Sequence, residues 1–166
     1  MTIESTLRRT EVFLGLSDCE LQTIAALPSS RIKDYKTGQY LFEAGSEAKY
    51  LFLLEEGQVE VIVEISSVAE NITRRITVDL AGKGTLMGWS ALVRPHFYVL
   101  SAVCQKPCKV ALISGQELLA LFERDRNIGY KIYEGLSQII GTRYRDLEQV
   151  LIKGKRWPFI ESHSGT

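Results

Sequence analysis

Residues 31–113 alternate between short apolar runs and glycine-containing turns, and this pattern restricts the fold more than any other feature. Gly45 precedes the run Tyr50–Leu54, and Gly57 precedes the run Val59–Ile65. Strands of about four to eight residues joined by such turns are typical of antiparallel barrels and jelly rolls. Because glycine tolerates the positive φ angles that tight turns require, we expect Gly45 and Gly57 to adopt them.

The run Val59–Ile65 predicts a strand with one apolar face. Its odd-numbered residues are all valine or isoleucine, and Glu60 and Glu64 lie between them. Side chains alternate across a strand, so the odd-numbered residues are expected to face the core. The apolar run Ile72–Leu80, which follows a polar turn at 69–71, predicts the antiparallel partner of this strand.

Helical segments flank the predicted strands on both sides. Ser17 and Glu20 have capping-box spacing, which predicts a helix over about 18–26 that is ended by the following proline. Ser114 and Glu117 have the same spacing and predict a second helix after the strands. The chain is therefore divided into a helical segment (1–30), a β-barrel core (31–113), a short and a long helix (114–153) and a tail (154–166).

The apolar residues between 127 and 153 recur at heptad spacing, which predicts a long amphipathic helix that packs against a partner helix. Because a small barrel offers too little surface to cover the whole helix, a second copy of the chain is the expected partner. For the first half of the helix, packing on the chain's own barrel fits equally well. The residues expected at the dimer contact are Leu136, Ile140, Leu147 and Val150.

The composition limits the classes of function. Twenty basic and twenty acidic residues balance each other, so the chain has no excess positive charge with which to bind DNA. Cys19, Cys104 and Cys108 lack paired C-x-x-C spacing, which argues against a disulfide framework and against a metal site. No run approaches the roughly 20 apolar residues of a membrane span. We expect a cytoplasmic protein with reduced thiols that contacts neither membrane nor DNA directly.

The order of these elements resembles the cyclic-nucleotide-binding domain of the Crp/Fnr superfamily. The resemblance runs from about Phe13 to Val150, and its most specific part is the glycine-punctuated segment Gly38–Val61. Downstream, Gly82-Lys-Gly84 and Met87-Gly88-Trp89 lead into the segment 84–102 that resembles the family's ligand-binding cassette. The resemblance implies a sensory module that is mainly β: an antiparallel jelly-roll barrel with N-terminal helices and a long C-terminal dimerisation helix.

The cassette departs from the family pattern at two positions. In relatives that bind cyclic AMP or cyclic GMP, a glutamate holds the ribose hydroxyl and an arginine pairs with the phosphate. Trp89 stands at the glutamate position here, and Tyr98 or a near neighbour stands at the arginine position. Both departures argue against ordinary cyclic-nucleotide binding. The resemblance keeps cyclic AMP and cyclic GMP as candidate ligands, and no cofactor is assigned.

A small anionic effector fits what remains of the cassette. The resemblance places a short helix after Gly88, and the amides at the start of a helix bind anions. Arg94 is a candidate replacement for the missing arginine. In the alternative, the aromatic rings plug the pocket and the protein is a ligand-free scaffold whose long helix binds a partner. The candidate ligand-binding residues are Gly88, Trp89, Ser90, Ala91, Arg94 and Tyr98.

No enzymatic activity is predicted. The sequence contains no nucleophile elbow, Walker loop or paired-carboxylate site. The two histidines, His96 and His163, are far apart in sequence, so no histidine cluster is available for a metal or for general-base catalysis. Transcription factors of the family carry a DNA-binding domain after the long helix. Because this chain ends soon after that helix, we expect a stand-alone sensory module.

Overall fold

The computed structural model describes residues 2–67 and 72–152. The chain begins with helix α1 (Ile3–Leu7), a 3₁₀ helix (Glu11–Phe13) and helix α2 (Asp18–Ala25). The Ser17 hydroxyl accepts a hydrogen bond from the Glu20 amide, and the Glu20 carboxylate accepts one from the Ser17 amide. The predicted capping box is therefore confirmed, and it begins α2 where the sequence indicates.

Within the described residues, eight strands form two four-stranded antiparallel sheets. The first sheet has the strand order β1-β8-β3-β6, and the second has the order β2-β7-β4-β5. The mainly β fold with antiparallel sheets and flanking helices is thus confirmed. The strands are β1 (Arg31–Tyr35), β2 (Tyr40–Phe42), β3 (Tyr50–Glu56), β4 (Val59–Ser67), β5 (Ile72–Ala81), β6 (Leu86–Met87), β7 (Ser101–Cys104) and β8 (Cys108–Ser114).

Two turn glycines have the predicted backbone conformation. Gly45 has a φ of 81° and Gly57 has a φ of 97°. At Gly57 a Cβ atom would lie only 2.4 Å from the Pro107 carbonyl oxygen, so the neighbouring turn also excludes any larger residue. Glycine is therefore required at position 57 both by the backbone angle and by the close approach of the β7–β8 turn.

Strands β4 and β5 pair as predicted, but the expected alternation along β4 is wrong beyond Val61. The register of the pair shifts between Val61 and Ile62, and both of these side chains are buried. The pair Val61–Asp79 is followed by the pair Ile62–Thr77, so the extra residue of this bulge is Val78 of β5, and a bulge increases the local twist of the two strands. Beyond this point Val63 is only half-buried and Ile65 is exposed. The predicted turn at 69–71 lies outside the described residues.

Both sheets contribute to one hydrophobic core. Leu53 of β3 and Ile113 of β8 are fully buried in the first sheet, and Val59 of β4 and Ala102 of β7 are fully buried in the second. Burial of a valine, leucine or isoleucine side chain stabilises a fold by about 1.5–3 kcal/mol. The two sheets therefore depend on each other for stability.

Helix α3 (Gly115–Arg124) begins at Ser114, whose hydroxyl accepts a hydrogen bond from the Glu117 amide. The predicted second capping box is nevertheless wrong in its other half. The Glu117 carboxylate accepts hydrogen bonds from the Ser29 amide, at 3.1 Å, and from the Ser29 hydroxyl, at 2.7 Å. Glu117 therefore joins α3 to the segment after α2 instead of closing its own helix start.

Helix α4 (Arg126–Ile152) packs one face on α3 and on the N-terminal 3₁₀ helix. Ile128, Ile132 and Leu136 are buried in the core. At Gly135 a Cβ atom would lie 2.8 Å from the Val12 carbonyl oxygen, so a larger side chain would push the helix away from the N-terminal segment. No described helix is both long and apolar enough to cross a bilayer.

The residues that were expected at a dimer contact lie in different environments in the structure. Leu136 is 2% exposed and lies on the α4 face that packs into the chain's own core. Farther along that face, Arg143 forms an ion pair with Asp79 of β5. Ile140 is 37% exposed. The side chains of Leu147 and Val150 lie outside the described part of the chain.

Candidate functional site

The cassette begins with a glycine that no other residue can replace without displacing β3. Gly88 follows β6 and has a φ of 72°. A Cβ atom at this position would lie 2.8 Å from the Tyr50 carbonyl oxygen and 2.9 Å from the Phe52 ring. The backbone therefore turns tightly against β3 and enters the cassette helix, a 3₁₀ helix formed by Trp89–Leu92.

The cassette helix lies between the sheets and α3. Ala91 is buried, and a Cβ atom at Gly115, the first residue of α3, would lie 2.6 Å from the Ala91 carbonyl oxygen. Trp89 is partly buried and packs against the core. The Ala91 amide donates to the Gly88 carbonyl at 3.0 Å. The amides of Trp89 and Ser90 come before the Ala91 amide. They belong to the first turn of the helix, where no earlier turn supplies a carbonyl acceptor.

Tyr98 lies in the interior, against the aromatic residues of two strands. Its ring stacks on Phe42 of β2 with a centroid distance of 4.2 Å, and the ring of Phe52 in β3 is 6.3 Å away. The Tyr98 side chain is 5% exposed. Burial raises the pKa of Tyr98 above its ordinary value, so the phenol is neutral at physiological pH.

The hydrogen-bonding capacity of Tyr98 is directed at the protein's own backbone. Its hydroxyl accepts a hydrogen bond from the Tyr50 amide and donates one to the Tyr50 carbonyl. The predicted arginine position could also fall on a near neighbour of Tyr98, such as Leu100. Leu100 is partly buried against the core and directly precedes β7. Neither Tyr98 nor Leu100 is positively charged, so neither can form the ion pair that an arginine forms with a phosphate.

Arg94 lies on a different side of the cassette from Tyr98. It is exposed and lines a cavity of about 460 Å³, together with Leu92 and His96 of the cassette, Glu123 of α3 and Tyr133 of α4. The predicted site residues are therefore not brought together in one pocket. The segment 88–91 forms the start of the cassette helix, Tyr98 lies in the interior, and Arg94 faces the helices.

A second cavity, of about 630 Å³, lies beside the cassette helix. Ala91 and His96 line it from the cassette, and the segment 47–50 and the start of α3 complete its wall. Lys49 forms an ion pair with Glu47 there, at 3.2 Å. Sequence reasoning missed this cavity, because its walls come from segments that are distant in the chain and carry no common motif.

Sequence reasoning also missed a direct link between the cassette and α4. The Tyr133 hydroxyl donates a hydrogen bond to the Leu92 carbonyl oxygen at 3.2 Å, across 41 residues of chain. The Tyr133 ring also contacts Phe122 of α3 edge-on, with a centroid distance of 5.4 Å. No local signal in the sequence indicated the contact of Tyr133 with the cassette.

Among residues 2–67 and 72–152, no three histidine, cysteine, aspartate or glutamate side chains form a group that could hold a metal ion.

Several solved structures share this fold. A protein from Geobacter metallireducens GS-15 whose name assigns it to the cyclic nucleotide-binding proteins is 30% identical, with a TM-score of 0.71, and the match covers 87% of this chain and 99% of that chain. A cyclic nucleotide-binding domain from Methylobacillus flagellatus KT is 21% identical, with a TM-score of 0.71, and the match covers 91% of this chain and 82% of that chain.

The regulatory domain of Toxoplasma gondii PKA, solved with cAMP, is 18% identical, with a TM-score of 0.68. That match covers 84% of this chain and 49% of the Toxoplasma chain. The similarity to the Methylobacillus and Toxoplasma proteins shows a shared fold.

No match was found among curated proteins. The family model described as the cyclic nucleotide-binding domain matches residues 32–125, which is more than half of the chain. This region includes all eight strands except the first residue of β1, together with the cassette and α3. The chain therefore belongs to the cyclic nucleotide-binding domain family.

Proposed function

We propose that this protein is a non-enzymatic regulatory module that binds a small anionic effector at the cassette and transmits its presence to α4. The observation that carries this proposal is the hydrogen bond from Tyr133 of α4 to the Leu92 carbonyl of the cassette helix. A ligand that moves the cassette helix changes this contact, so its binding energy favours one position of α4 over another. Family membership supports the same role.

The proposed effector is smaller than a cyclic nucleotide, or differs from one in its polar groups. Trp89 cannot accept a hydrogen bond from a ribose hydroxyl, and Tyr98 uses its hydroxyl on Tyr50. A missing charge-assisted hydrogen bond costs about 1.5–3 kcal/mol. The amides of Trp89 and Ser90 supply a place for one carboxylate or phosphate group. Arg94 is the only lysine or arginine of the segment 84–102.

Fluorescence of Trp89 tests the proposal directly. Trp89 and Trp157 are the two tryptophans of the chain, so the Trp157→Phe variant reports on the cassette alone. It is titrated with cyclic AMP, cyclic GMP, small dicarboxylates and phosphate monoesters. We expect a saturable change with one of the anions and a higher melting temperature, since a ligand at a hundredfold excess over Kd stabilises a fold by about 2.7 kcal/mol. No response to any member at millimolar concentration would sink the proposal.

Two variants locate the binding site and the transmission step. Arg94→Ala is expected to weaken effector binding about tenfold or more, as loss of a charge-assisted bond predicts. The matched control is Arg74→Ala, which removes an exposed arginine of β5. Tyr133→Phe keeps the ring but removes the donor to Leu92. This variant is expected to bind the effector, while effector-dependent protection of α4 against hydrogen exchange is lost.

A second candidate function is a ligand-free scaffold, and the packing of Tyr98 favours it. The ring stacked on Phe42 fills interior space, and the hydroxyl has both its hydrogen bonds within the protein. A scaffold gives no response to any anion in the wild type. Tyr98→Ala removes the ring and leaves an apolar cavity, which is expected to bind small aromatic compounds such as phenol or indole.

The proposal also includes the cytoplasm as the compartment and a second copy of the chain as the partner. The three cysteines are free, which fits the reducing conditions of the cytoplasm. The proposed partner is a second copy of the chain, bound through α4.

A further inference from the structure

The cavity of about 630 Å³ beside the cassette helix has the features of a second ligand site. Its walls come from three parts of the chain: the segment 47–50 at the start of β3, Ala91 and His96 of the cassette, and the first turn of α3. Sites for small molecules are typically clefts of about 300–1,000 Å³ that bring such separate segments together. This space is called the β3–α3 cavity below.

Backbone hydrogen bonds hold the walls of the β3–α3 cavity in place. The Gly115 amide at the start of α3 donates to the Lys49 carbonyl at 2.9 Å. The Ala48 amide donates to the His96 carbonyl at 2.7 Å. All three walls are therefore linked through the segment 47–50, and the cavity does not have to be assembled by a ligand. A preformed site of this kind loses little conformational entropy when a ligand binds.

Two polar side chains on these walls are left without a partner. Neither His96 nor Gln116 forms a side-chain hydrogen bond or ion pair within residues 2–67 and 72–152. His96 is also held at a φ of 61°, a backbone conformation that is uncommon for any residue other than glycine. The loop therefore keeps an imidazole at the cavity although that side chain stabilises no other part of the described fold.

The β3–α3 cavity is bordered by charges of both signs. Lys49 and Glu47 form an ion pair at 3.2 Å, with side chains that are 64% and 65% exposed. Exposed pairs contribute little to stability, so a ligand can replace this contact. Glu117 adds a second carboxylate, and each of its oxygens accepts one hydrogen bond from Ser29. Because a carboxylate has about four acceptor positions, Glu117 keeps the capacity to bind a further donor.

We propose that the β3–α3 cavity binds a small zwitterion of the amino-acid class. The ligand's ammonium group is bound by Glu47 and Glu117, and its carboxylate is bound by Lys49 and His96. A simple anion would face two carboxylates in this cavity, and a simple cation would face Lys49. A ligand that has both charged groups therefore complements the cavity better than either.

This site is separate from the effector site of the proposed function. His96 and Leu119 border both the β3–α3 cavity and the smaller cavity that Arg94 lines, so they form a wall between the two spaces. Arg94 itself does not line the β3–α3 cavity. An anion that has no ammonium group is expected at the cassette, and an amino acid is expected in the β3–α3 cavity, so the two sites can be tested with different probes.

NMR of the full chain tests for binding, with each standard L-amino acid at millimolar concentration as the probe. His96 and His163 are the two histidines of the chain, so in the variant His163→Ala the imidazole signal reports on His96 alone. We expect a saturable shift of this signal with at least one amino acid, together with a higher melting temperature. No shift and no change of melting temperature with any amino acid would overturn the proposal.

Two charge variants locate the bound amino acid. Lys49→Glu and Glu47→Gln are each expected to raise its Kd about tenfold or more, as loss of a charge-assisted bond predicts. The matched controls are Lys106→Glu, which changes an exposed lysine at the opposite end of β8 from the cavity, and Glu43→Gln, which changes an exposed glutamate outside it. An unchanged Kd in both site variants, with wild-type circular dichroism, would contradict the assigned site.

Derivatives of the bound amino acid test its class. The methyl ester lacks the carboxylate and the N-acetyl derivative lacks the ammonium group, so each is expected to bind about tenfold more weakly or worse. Lys49→Glu is expected to have little further effect on the methyl ester, and Glu47→Gln little further effect on the N-acetyl derivative, because each pair then lacks the same contact. A derivative that binds as tightly as the parent amino acid would show that the ligand is not recognised as a zwitterion.

The Trp89 titration separates this proposal from the proposed function. A fluorescence response to a dicarboxylate or phosphate monoester, without binding of any amino acid, refutes the second site and supports the proposed function. Binding of an amino acid that depends on Lys49, without a response to those anions, supports the second site and refutes the proposed function.

Discussion

The Tyr98 hydroxyl is hydrogen-bonded to both backbone groups of a single residue, Tyr50. It accepts from the Tyr50 amide at 3.1 Å and donates to the Tyr50 carbonyl at 2.8 Å. The first residue of β3 is thereby tied to a segment 48 positions later in the chain. The same hydroxyl stands where the sequence resemblance led us to look for a phosphate-binding group, so the cassette and the start of β3 depend on each other.

Tyr98→Phe is expected to destabilise the protein. It keeps the aromatic ring but leaves the Tyr50 amide and carbonyl without this partner, at a cost of about 1–3 kcal/mol. Urea denaturation measures the change. Tyr40→Phe is the control, since the Tyr40 hydroxyl bonds only at the exposed surface, and its effect is expected within about 0.5 kcal/mol. Equal stability of Tyr98→Phe and the wild type would contradict the hydrogen-bond assignment.

Leu136→Ala is expected to lower the free energy of unfolding by about 2–5 kcal/mol, because it leaves a cavity in the core. The matched variant is Leu14→Ala, which removes the same atoms from an exposed side chain and is expected to change stability by less than about 0.5 kcal/mol. Both are compared with the wild type by urea denaturation at one protein concentration. Similar values for the two variants would place Leu136 outside the core.

The three cysteines are expected to differ in reactivity. Cys19 is exposed, whereas Cys104 and Cys108 are buried, and burial together with the neighbouring Cys108 raises the pKa of Cys104 to about 12. Only the thiolate reacts quickly with a disulfide reagent. In native protein at pH 8, DTNB is therefore expected to label Cys19 quickly and the other two only after unfolding. Rapid labelling that persists in Cys19→Ser would be inconsistent with buried thiols.

The raised pKa of Cys104 predicts a loss of stability in alkali. In the folded state the pKa is about 12, against an ordinary value of 9.0, so the unfolded chain releases this proton first. The stability that depends on the neutral thiol is fully present below pH 9 and is lost as the pH rises toward 12. Urea midpoints measured from pH 8 to pH 11 are expected to fall less steeply for Cys104→Ala than for the wild type.

The opposite pH dependence is expected at Glu20. The Lys131 ammonium donates to both Glu20 carboxylate oxygens at 2.9 Å, and this bond, with the Ser17 amide, lowers the pKa of Glu20 below its ordinary value of 4.5. The stabilisation is present above pH 4.5 and is lost as the pH falls through the lowered pKa. The stability difference between the wild type and Glu20→Gln is therefore expected to shrink below pH 4. A difference that stays constant down to pH 2 would argue against the ion pair.

Local signals predicted the elements whose geometry depends on neighbouring residues. The Ser17 capping box begins α2 as expected, and Gly45 and Gly57 have positive φ angles. Strands β4 and β5 pair as the alternating pattern indicates. Each of these features needs only atoms within one turn or one hairpin, so the local sequence contains the information.

Contacts between distant segments were not predictable in the same way. Glu117 has the spacing of a capping residue, but Ser29, 88 positions away, takes its carboxylate. The bulge at Val78 of β5, opposite Val61 and Ile62, has no signature in the sequence pattern. In both cases two arrangements satisfy the local chemistry, and packing against a remote segment selects one of them.

Helix α4 shows what the sequence determines and what the tertiary structure determines. The sequence by itself determines that 127–152 is an amphipathic helix and that the glycine-punctuated segment before it forms short antiparallel strands, because helix and strand periods are local properties. Only the tertiary structure decides which side of α4 is buried: the chain's own core covers Leu136 and leaves Ile140 and Tyr144 exposed. The apolar surface of α4 is wider than one contact, so packing against α3 and the N-terminal 3₁₀ helix determines which of its residues are buried.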